Sequence, residues 1–222
     1  MNNIEIKFQN ENFIVFNKPN GLLTHPTIKS RETTLRDHLI KIEPKIEEWG
    51  EVNREGIVHR LDRLTSGLIV CPLNIKTFNS LKQKFKDREI NKEYLAIIEG
   101  HLSSETGKIE LPLKRSSTNR SKRAVAKNGK LSISEYEVIK TTNKHSLVLI
   151  TLITGRNHQV RVQMEYLNTP VVNDTLYGAK INKLTTSSQI CLHSHKLSFN
   201  LFDKDFNFEC APPEFFNKVL EV

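Results

Sequence analysis

The chain has 222 residues, a hydrophobic content of 37%, a mean hydropathy of -0.43 and a formal net charge of +8 at pH 7. This length allows one large domain or two small ones, and no apolar run approaches the roughly 18 residues of a membrane span. The positive charge favours a polyanionic partner, although a generally basic protein would share it. Three scattered cysteines without a CxxC pair support neither a zinc site nor a disulfide framework.

The first part of the chain predicts a strand and two helices. Asn12–Lys18 has the apolar composition of a buried strand and runs into the turn signal Pro19–Gly21. Thr34–Ile42 and Asn74–Lys86 have helical apolar spacing, and each begins with a capping residue. The lysines of the second helix are most simply a solvated face.

Since residues 1–8 have no apolar signal core, we expect a cytoplasmic protein.

The segment Gly56–Val70 holds the densest group of chemically active side chains. Two apolar runs, Gly56–Val58 and Leu68–Val70, are predicted as buried strands that bracket a polar connection. Asp62, the one carboxylate of this connection, lies between two arginines whose positive charges favour its ionised form. An ionised, fixed carboxylate serves as a nucleophile or a base. A structural aspartate that pairs with arginine to hold a turn would show the same spacing.

Lys92–Ile98 is predicted as a strand that contains Tyr94. A tyrosine in a strand is most simply a core residue with a bonded hydroxyl. The following segment, Lys114–Lys130, is rich in Lys and Arg and contains no acidic residue. It predicts a long mobile loop or an extended hairpin whose charge has no internal partner.

We interpret Lys114–Lys130 as an arm on a phosphate backbone rather than a merely solvated loop, because long loops in compact domains are usually functional or disordered. The candidate backbone-binding residues of this arm are Arg115, Arg120, Lys122 and Arg123.

Strand patterns dominate the rest of the chain and are followed by a short C-terminal helix from Pro212. We therefore predict an α+β fold with a mixed sheet. The predicted strands are Lys130–Ile139, Ser146–Ile153, Gln189–His193, Lys196–Phe202 and Phe206–Cys210.

A strand–glycine–helix junction is predicted at Gly155, with the helix starting at Asn157. Such a junction presents backbone N–H groups and suits an anion. His158, Arg161 and Glu165 fall on one side of the helix. A pair between Arg161 and Glu165 within the helix is the simpler explanation of that spacing.

Several common catalytic patterns are absent from the sequence. There is no GxxxxGK[ST] loop, no HExxH or CxxC metal spacing and no GxSxG elbow. Carboxylates clustered for Mg²⁺ are missing too, so a metal nuclease is poorly supported. A basic chain with an arginine-flanked aspartate, a strand tyrosine and a second arginine-rich junction suits metal-free covalent chemistry on RNA or DNA.

His59–Leu68 resembles HRLDxxTSGL, the signature of RNA pseudouridine synthases of the RluA family. Further stretches resemble the family's other motifs in the same order along the chain. The stretches are Phe13–Leu22 with His25-Pro26 (KPxG…HP), Lys92–Ala96 (KxYLA), Thr154–Arg161 (TGRxHQIR), Asp174–Gly178 (GDxxYG) and Leu192-His193 with Leu197 and Phe199 (LH…LxF). The chain departs from the family pattern at Leu64, Asn157, Gln163 and Asn173, the last of which stands where a glycine precedes the aspartate.

The resemblance implies a pseudouridine synthase fold, with a central, mostly antiparallel mixed sheet, flanking helices and a catalytic cleft. It implies a single catalytic domain over residues 1–222. The S4-like domain that precedes this domain in many relatives is not expected here, so the catalytic domain would hold the RNA itself. The partner implied is RNA, either ribosomal RNA or a tRNA stem-loop, and we expect a monomer that binds no membrane.

The resemblance also implies the reaction, in which specific uridines are isomerised to pseudouridine without cofactor or metal, because no atom enters or leaves. Asp62 would be the nucleophile at ribose C1′ or uracil C6, or a base in a glycal route. Arg161 would pair with Asp62, and Tyr94 would stack on the uracil and take part in removing the C5 proton.

Five further residues are assigned to substrate binding by the resemblance. Leu192 would pack on the base, and Arg60 would enter the space that the flipped nucleotide leaves. His59, Arg156 and His158 complete this set. Two other functions compete: a non-catalytic RNA-binding module that retains the fold, and an RNA hydrolase that uses His59 or His158 as its base.

Overall fold

The computed structural model describes residues 4–27 and 32–221. The strand pairs whose register is described are all antiparallel, and four helices accompany the strands in this part of the chain, so the predicted, mostly antiparallel α+β architecture is confirmed. The elements are β1 (Glu5–Gln9), β2 (Phe13–Lys18), α1 (Leu35–Ile42), β3 (Ser66–Pro72), α2 (Ile75–Asp87), β4 (Asn91–Glu99), β5 (Thr106–Arg115), β6 (Arg123–Val125), β7 (Lys130–Thr141), β8 (His145–Leu152), α3 (Gln159–Tyr166), β9 (Leu192–Leu201), β10 (Lys204–Glu209) and α4 (Phe215–Leu220), with 3-10 helices at Pro44–Glu48 and Thr175–Tyr177.

The chain forms two compact units. The first consists of Met1–Asn91 and Ser194–Cys210, and the second of Lys92–His193 and Ala211–Val222. A single catalytic domain over residues 1–222 stays a prediction, and residues 1–3, 28–31 and 222 of that range lie outside the described residues.

In the first unit, β1, β2, β3 and β9 lie side by side in that order, and β10 pairs with β9. The side chains of β3 are all buried, and those of β2 nearly so, as their apolar composition predicts. Leu81 of α2 packs against this sheet. Both predicted caps are confirmed: Thr34 forms a capping box with Asp37, and the Asn74 side chain accepts the Thr77 N–H at 2.9 Å.

The predicted strand at Gly56–Val58 is wrong, because these residues form a turn. Gly56 adopts φ 70°, and a Cβ there would collide with the side chain of Ile46. The apolar character of the run is used in packing instead, since Val58 contacts the core of the first unit.

In the second unit, the strands run in the order β4, β8, β7, β5, β6. The arm predicted as a mobile loop or an extended hairpin is a hairpin, in which Arg115 of β5 stands opposite Arg123 of β6. Helix α3 packs against it, since Val162 belongs to a buried cluster with Leu113 and Tyr177. The helix begins at Gln159, two residues after the predicted start.

The two strands predicted over 189–202 are a single strand, β9, whose first two residues belong to the second unit and the rest to the first. The strand predicted at Phe206–Cys210 corresponds to β10, which pairs with β9 in a hairpin whose turn is at Phe202 and Asp203, both in the left-handed region. No helix in residues 4–27 and 32–221 is long and apolar enough to cross a membrane.

Candidate active site

Asp62 lies half-buried in a loop of the first unit, just before strand β3. Its carbonyl accepts the Thr65 N–H at 3.1 Å, which closes a tight turn. Two residues after Thr65, Gly67 of the family-like signature adopts φ 107°, and a Cβ there would overlap the backbone of Ser194. Only glycine fits this conformation and this close approach, so the turn has a fixed exit into the sheet.

The buried ammonium of Lys18 braces this loop. Its Nζ donates to the carbonyls of Pro19 at 3.0 Å, Leu22 at 2.9 Å and Arg63 at 3.2 Å. Three carbonyl acceptors match the three N–H donors of a protonated lysine. Burial lowers the pKa of Lys18 to about 7, the negative charge of Asp62 opposes this shift, and the charge of Arg63 adds to it. Lys18 therefore ties the Asp62 loop to the turn after β2.

A second brace comes from the segment after that turn. The Thr24 hydroxyl donates to the Leu61 carbonyl at 2.8 Å and accepts the Leu61 N–H at 3.3 Å. His25 is buried, and its Nδ1 lies 3.0 Å from the Pro26 carbonyl, which can only accept, so Nδ1 carries the proton. Nε2 is then the acceptor for the Arg60 guanidinium at 2.7 Å.

The protonation state of His25 suits this contact. Burial lowers the pKa of His25; the bond to the Pro26 carbonyl opposes the shift, and the positive charge of Arg60 adds to it. A neutral imidazole therefore holds Arg60, a predicted substrate-binding residue.

The other neighbours of Asp62 also have described partners within the first unit. Arg63 forms two hydrogen bonds with Glu32, the shorter of 2.8 Å. His59 accepts the Val70 N–H on Nε2 at 3.0 Å and stacks on Phe85 with a centroid distance of 4.4 Å. Lys18 and backbone hydrogen bonds thus hold the Asp62 turn, and the described partner of the Arg63 side chain is Glu32. The alternative in which Asp62 pairs with an arginine to hold the turn stays a prediction.

In the second unit, Arg161 and Asp174 form a buried bidentate pair. Arg161 Nε donates to Oδ2 of Asp174 at 2.6 Å, and an NH group donates to Oδ1 at 2.8 Å. Both side chains are almost fully buried, at 5% and 1% exposure. The simple Arg161–Glu165 explanation does not account for this helix, because the described partner of Glu165 is Lys122. The predicted pairing of Arg161 with Asp62 stays a prediction.

Tyr177 connects this pair to the basic hairpin. The Arg161 guanidinium carbon lies 4.9 Å from the centroid of the Tyr177 ring, and Lys122 Nζ lies 5.1 Å from it. The Tyr177 hydroxyl accepts the Arg123 N–H at 2.8 Å and lies 2.8 Å from Nδ1 of His158. His158 adopts φ 56° just before α3, which places its ring beside Tyr177.

Two of the hairpin lysines have partners within the second unit, contrary to the expectation that the charge of this segment has none. Lys122 lies 3.3 Å from the Glu165 carboxylate, and Lys114 donates to the Asn128 side chain at 2.8 Å. Arg115 and Arg120 are exposed. Acidic partners were not foreseen, because Glu165 is 43 residues from Lys122 along the chain.

One backbone N–H of the predicted anion site at Gly155 is engaged within the protein, and the anion site otherwise stays a prediction. The Arg156 N–H is not available to an anion, because it donates to the Gln159 side chain at 2.9 Å. The Arg156 side chain donates through Nε to the Leu131 carbonyl at 2.9 Å.

Tyr94 is buried in β4 opposite Ile150.

The remaining predicted residue, Leu192, is buried at the start of β9. Three of the predicted residues lie in the first unit and the others in the second. The first-unit residues are His59, Arg60 and Asp62.

Several residues with well-defined site contacts had no role in the sequence prediction: Lys18, His25, Asn173, Asp174 and Tyr177. All five lie within or next to the family-like motifs, so their position in a motif was an available signal. What the sequence could not supply was their partners, because each of the five bonds to a residue at least 13 positions away.

The family model described as RNA pseudouridylate synthase matches residues 12–166. The ribosomal large subunit pseudouridine synthase D of Borreliella burgdorferi is 40% identical over 91% of this chain and 63% of its own length. The protein of the same name from Zymomonas mobilis is 35% identical over 95% of this chain and 70% of its own. The chain thus spans about two thirds of the length of these relatives.

A solved structure also resembles this chain. The human RNA pseudouridylate synthase domain containing 1 has a TM-score of 0.77 and 26% identity, covering 95% of this chain and 84% of its own. The family match extends from β2 through α3 and contains Asp62, Tyr94 and Arg161. The chain belongs to the RNA pseudouridylate synthase family.

Proposed function

We propose that this chain is an RNA pseudouridine synthase, an isomerase that converts specific uridines of structured RNA into pseudouridine. The N1–C1′ bond of the uridine breaks, the uracil turns, and a C5–C1′ bond forms. The C5 proton leaves to solvent and N1 takes up a proton, so the atoms balance without cofactor or metal. One observation carries this proposal. The chain belongs to the family, and it has Asp62, Tyr94 and Arg161 at the corresponding positions of the family-like motifs.

Asp62 is the proposed nucleophile, at C1′ or C6, or a base that forms a glycal. Its loop supports this role, because Lys18 and Thr24 fix the backbone on both sides of it. A fixed carboxylate loses little orientational freedom on reaction. Tyr94 is proposed to stack on the uracil and help remove the C5 proton, and Arg161 to act as a fixed positive charge, held by Asp174.

RNA binding is proposed to combine base flipping with backbone contacts. A uridine must leave its stack to react, and loops or single strands make this less costly. Arg60 would fill the vacated space, and Leu192 would pack on the flipped base. Arg115 and Arg120 are exposed and suited to phosphates, whereas Lys122 would have to exchange its contact with Glu165.

The identity of the RNA is proposed from the relatives. Their names point to ribosomal RNA of the large subunit as the first RNA to test. A tRNA stem-loop is the second, because the reaction needs only a local loop. We further propose that residues 1–222 act as one catalytic domain, as a monomer and in the cytoplasm.

The two competing functions are less well supported. A non-catalytic binding module would have no need of an intact Asp62, Tyr94 and Arg161 set. A hydrolase needs a histidine base, yet Nε2 of His59 accepts a backbone N–H, and Nδ1 of His158 is bonded to a tyrosine hydroxyl. The Nε2 lone pair of His59 is therefore engaged, whereas the contact of His158 leaves its Nε2 unassigned, so the integrity of the RNA in the experiment below tests the hydrolase.

The test compares the amount of uridine lost from the RNA with the amount of pseudouridine formed. Unmodified transcripts of large-subunit ribosomal RNA and of tRNA are incubated with the purified chain in EDTA, digested, and separated by liquid chromatography with mass detection. We expect each uridine lost to appear as pseudouridine of the same mass, with the RNA intact. Bound but unmodified RNA would favour the binding module, and shortened RNA the hydrolase.

A further inference from the structure

Asn173 is the departure from the family pattern with the clearest structural consequence. It stands where the family motif has glycine, directly before Asp174. It adopts φ 69°, the left-handed conformation that glycine adopts freely and asparagine tolerates better than most residues. Asparagine therefore meets the backbone requirement of this position and adds a side chain.

The Asn173 side chain is almost fully buried, at 1% exposure, and bonds to one neighbouring segment, residues 179–189. Its Nδ2 donates to the Thr186 carbonyl at 2.6 Å and to the Gln189 carbonyl at 3.3 Å. Its Oδ1 accepts the Asn182 N–H at 3.1 Å. A glycine at this position could make none of these three contacts.

The 179–189 segment is also tied at both ends to the residues around Asn173. The Ala179 N–H donates to the Asp174 carbonyl at 3.2 Å, and just after the segment the Cys191 N–H donates to the Val172 carbonyl at 3.1 Å. Asn173 thus lies where the two ends of this loop meet, and its side chain bonds to backbone groups within the loop. The loop begins five residues after Asp174, whose carboxylate holds Arg161.

The outer surface of the segment is cationic. Lys180 and Lys183 are exposed, and no acidic residue occurs from 175 through 202. From another part of the second unit, the Glu99 carboxylate accepts the backbone N–H of Lys180 at 3.2 Å. Ile181 and Leu184 lie beside these lysines and are 60% and 45% exposed. Glu99 bonds to the backbone of Lys180, and the exposed ammonium groups of Lys180 and Lys183 suit phosphates. The exposed aliphatic side chains beside them suit the apolar faces of ribose or base.

We propose that the 179–189 segment is an RNA-contacting surface and that Asn173 is the positioning residue that fixes its conformation. This inference rests on the proposed function and adds a specificity element to it. Lys180 and Lys183 bind RNA phosphates, while the three side-chain bonds of Asn173 keep the segment ordered before RNA arrives. An ordered segment loses less conformational entropy on binding, so Asn173 lowers KM without entering the chemistry.

The test compares two variants with the wild type on one transcript that the wild type modifies. Asn173→Gly removes the side-chain bonds while keeping the backbone conformation accessible, and Lys180→Gln/Lys183→Gln removes the proposed phosphate contacts. We expect Asn173→Gly to raise KM about tenfold, the effect of a few such bonds, with kcat nearly unchanged. The lysine variant should raise KM and reduce the slope of log affinity against log salt by roughly 0.7 per lysine.

Combining the two changes separates positioning from a general structural effect. If Asn173 acts through the segment, Asn173→Gly should raise KM much less in the background of the lysine variant than in the wild type. Lys218→Gln, on the exposed face of α4, controls for the loss of positive charge. Thermal unfolding of each variant shows whether it folds.

Three results would overturn the proposal. They are an unchanged salt slope in the lysine variant, a Gly variant that loses kcat at constant KM, and fully multiplicative effects in the combined variant. If the wild type forms no pseudouridine in any RNA, the proposed function fails by itself. The salt slope for binding of a short labelled stem-loop RNA then still decides whether Lys180 and Lys183 contact RNA.

Discussion

Asp174 holds the guanidinium of Arg161 through two parallel hydrogen bonds, 2.6 and 2.8 Å long, and both side chains are buried. This geometry fixes the plane as well as the position of the guanidinium. It matters for the proposed reaction because Arg161 is one of three residues assigned to the chemistry. The Arg161 guanidinium keeps this orientation only while the Asp174 carboxylate is present to hold it.

Replacing Asp174 with Asn should therefore affect both folding and activity. The amide retains one acceptor but removes the negative charge that faces the buried Arg161 guanidinium. We expect the free energy of unfolding to fall by about 3 kcal/mol, as for other broken buried pairs. Because misplacement of a reacting group is costly, kcat should fall roughly a hundredfold. Denaturant unfolding and initial rates measure the two effects.

Asp203→Asn is the matched control for that change. Asp203 is exposed in the β9–β10 turn and has the left-handed backbone that asparagine accepts. The substitution Asp203→Asn should leave the free energy of unfolding and kcat within error of the wild-type values. Equal losses in the two variants would show that the Asp174–Arg161 pair has no special role.

The bond from Arg60 to His25 makes a second prediction. His25→Phe keeps the ring volume but removes the acceptor, whereas His25→Gln retains an acceptor oxygen near the position of Nε2. Hydrogen bonds to charged groups contribute about 1.5 to 3 kcal/mol, so kcat/KM should fall at least about tenfold in the Phe variant. The Gln variant should recover most of it.

An Arg60→Ala background tests whether His25 acts through Arg60. If it does, adding His25→Phe to Arg60→Ala should cost almost nothing more. A full further loss in the double variant would assign His25 some other role. Steady-state rates on the modified transcript are sufficient for this cycle.

The low pKa of Lys18 predicts a specific pH dependence of stability. Its pKa is about 7 when folded and 10.5 as the ordinary value, so between these pH values the unfolded chain binds more protons. Stability contributed by this group therefore rises with pH across that window. The unfolding free energy of the wild type minus that of Lys18→Met should increase by up to about 1.4 kcal/mol per pH unit between pH 7 and 10.5.

Chemical denaturation at several pH values measures this difference, and titrations common to both proteins cancel. Below pH 7 the difference should be constant, since Lys18 is protonated in both states. A difference that stays flat from pH 7 to 10.5 would mean that Lys18 keeps its ordinary pKa.

The basic hairpin should contribute measurably to the salt dependence of RNA binding. Arg115 and Arg120 are exposed, so replacing both with Gln should weaken binding and lower the slope of log affinity against log salt by roughly 0.7 to 0.9 per residue. Lys122→Gln should change the slope less, because Glu165 already compensates that charge. An identical slope in the wild type and the double variant would remove the hairpin from the RNA-binding surface.

The parts of the fold that follow local rules were predictable. Helix α2 has regular apolar spacing and an asparagine cap, and β2 and β3 are apolar runs with every residue or nearly every residue buried. Strand β5 was not predicted, because Gly107 and Pro112 interrupt its alternating pattern. Long antiparallel pairing with β7 determines its conformation instead.

The candidate site was predictable as a set of motifs but not as a set of contacts. Spacing along α3 favoured an Arg161–Glu165 pair, yet Arg161 bonds to Asp174, 13 residues away and beyond the end of the helix. The Arg60–His25 bond spans 35 residues and depends on the tautomer that the Pro26 carbonyl selects. Such contacts require the tertiary fold, which local periodicity does not encode.

The most direct test of the central claim is tritium release from RNA labelled at C5 of uridine, measured without metal for the wild type and for Asp62→Asn. Asparagine keeps the size of the side chain but is a poor nucleophile. We expect the wild type to release tritium and Asp62→Asn to release none, with RNA binding retained by both. Release by both proteins would contradict it, because the nucleophile would then lie elsewhere, and release by neither would leave an RNA-binding module.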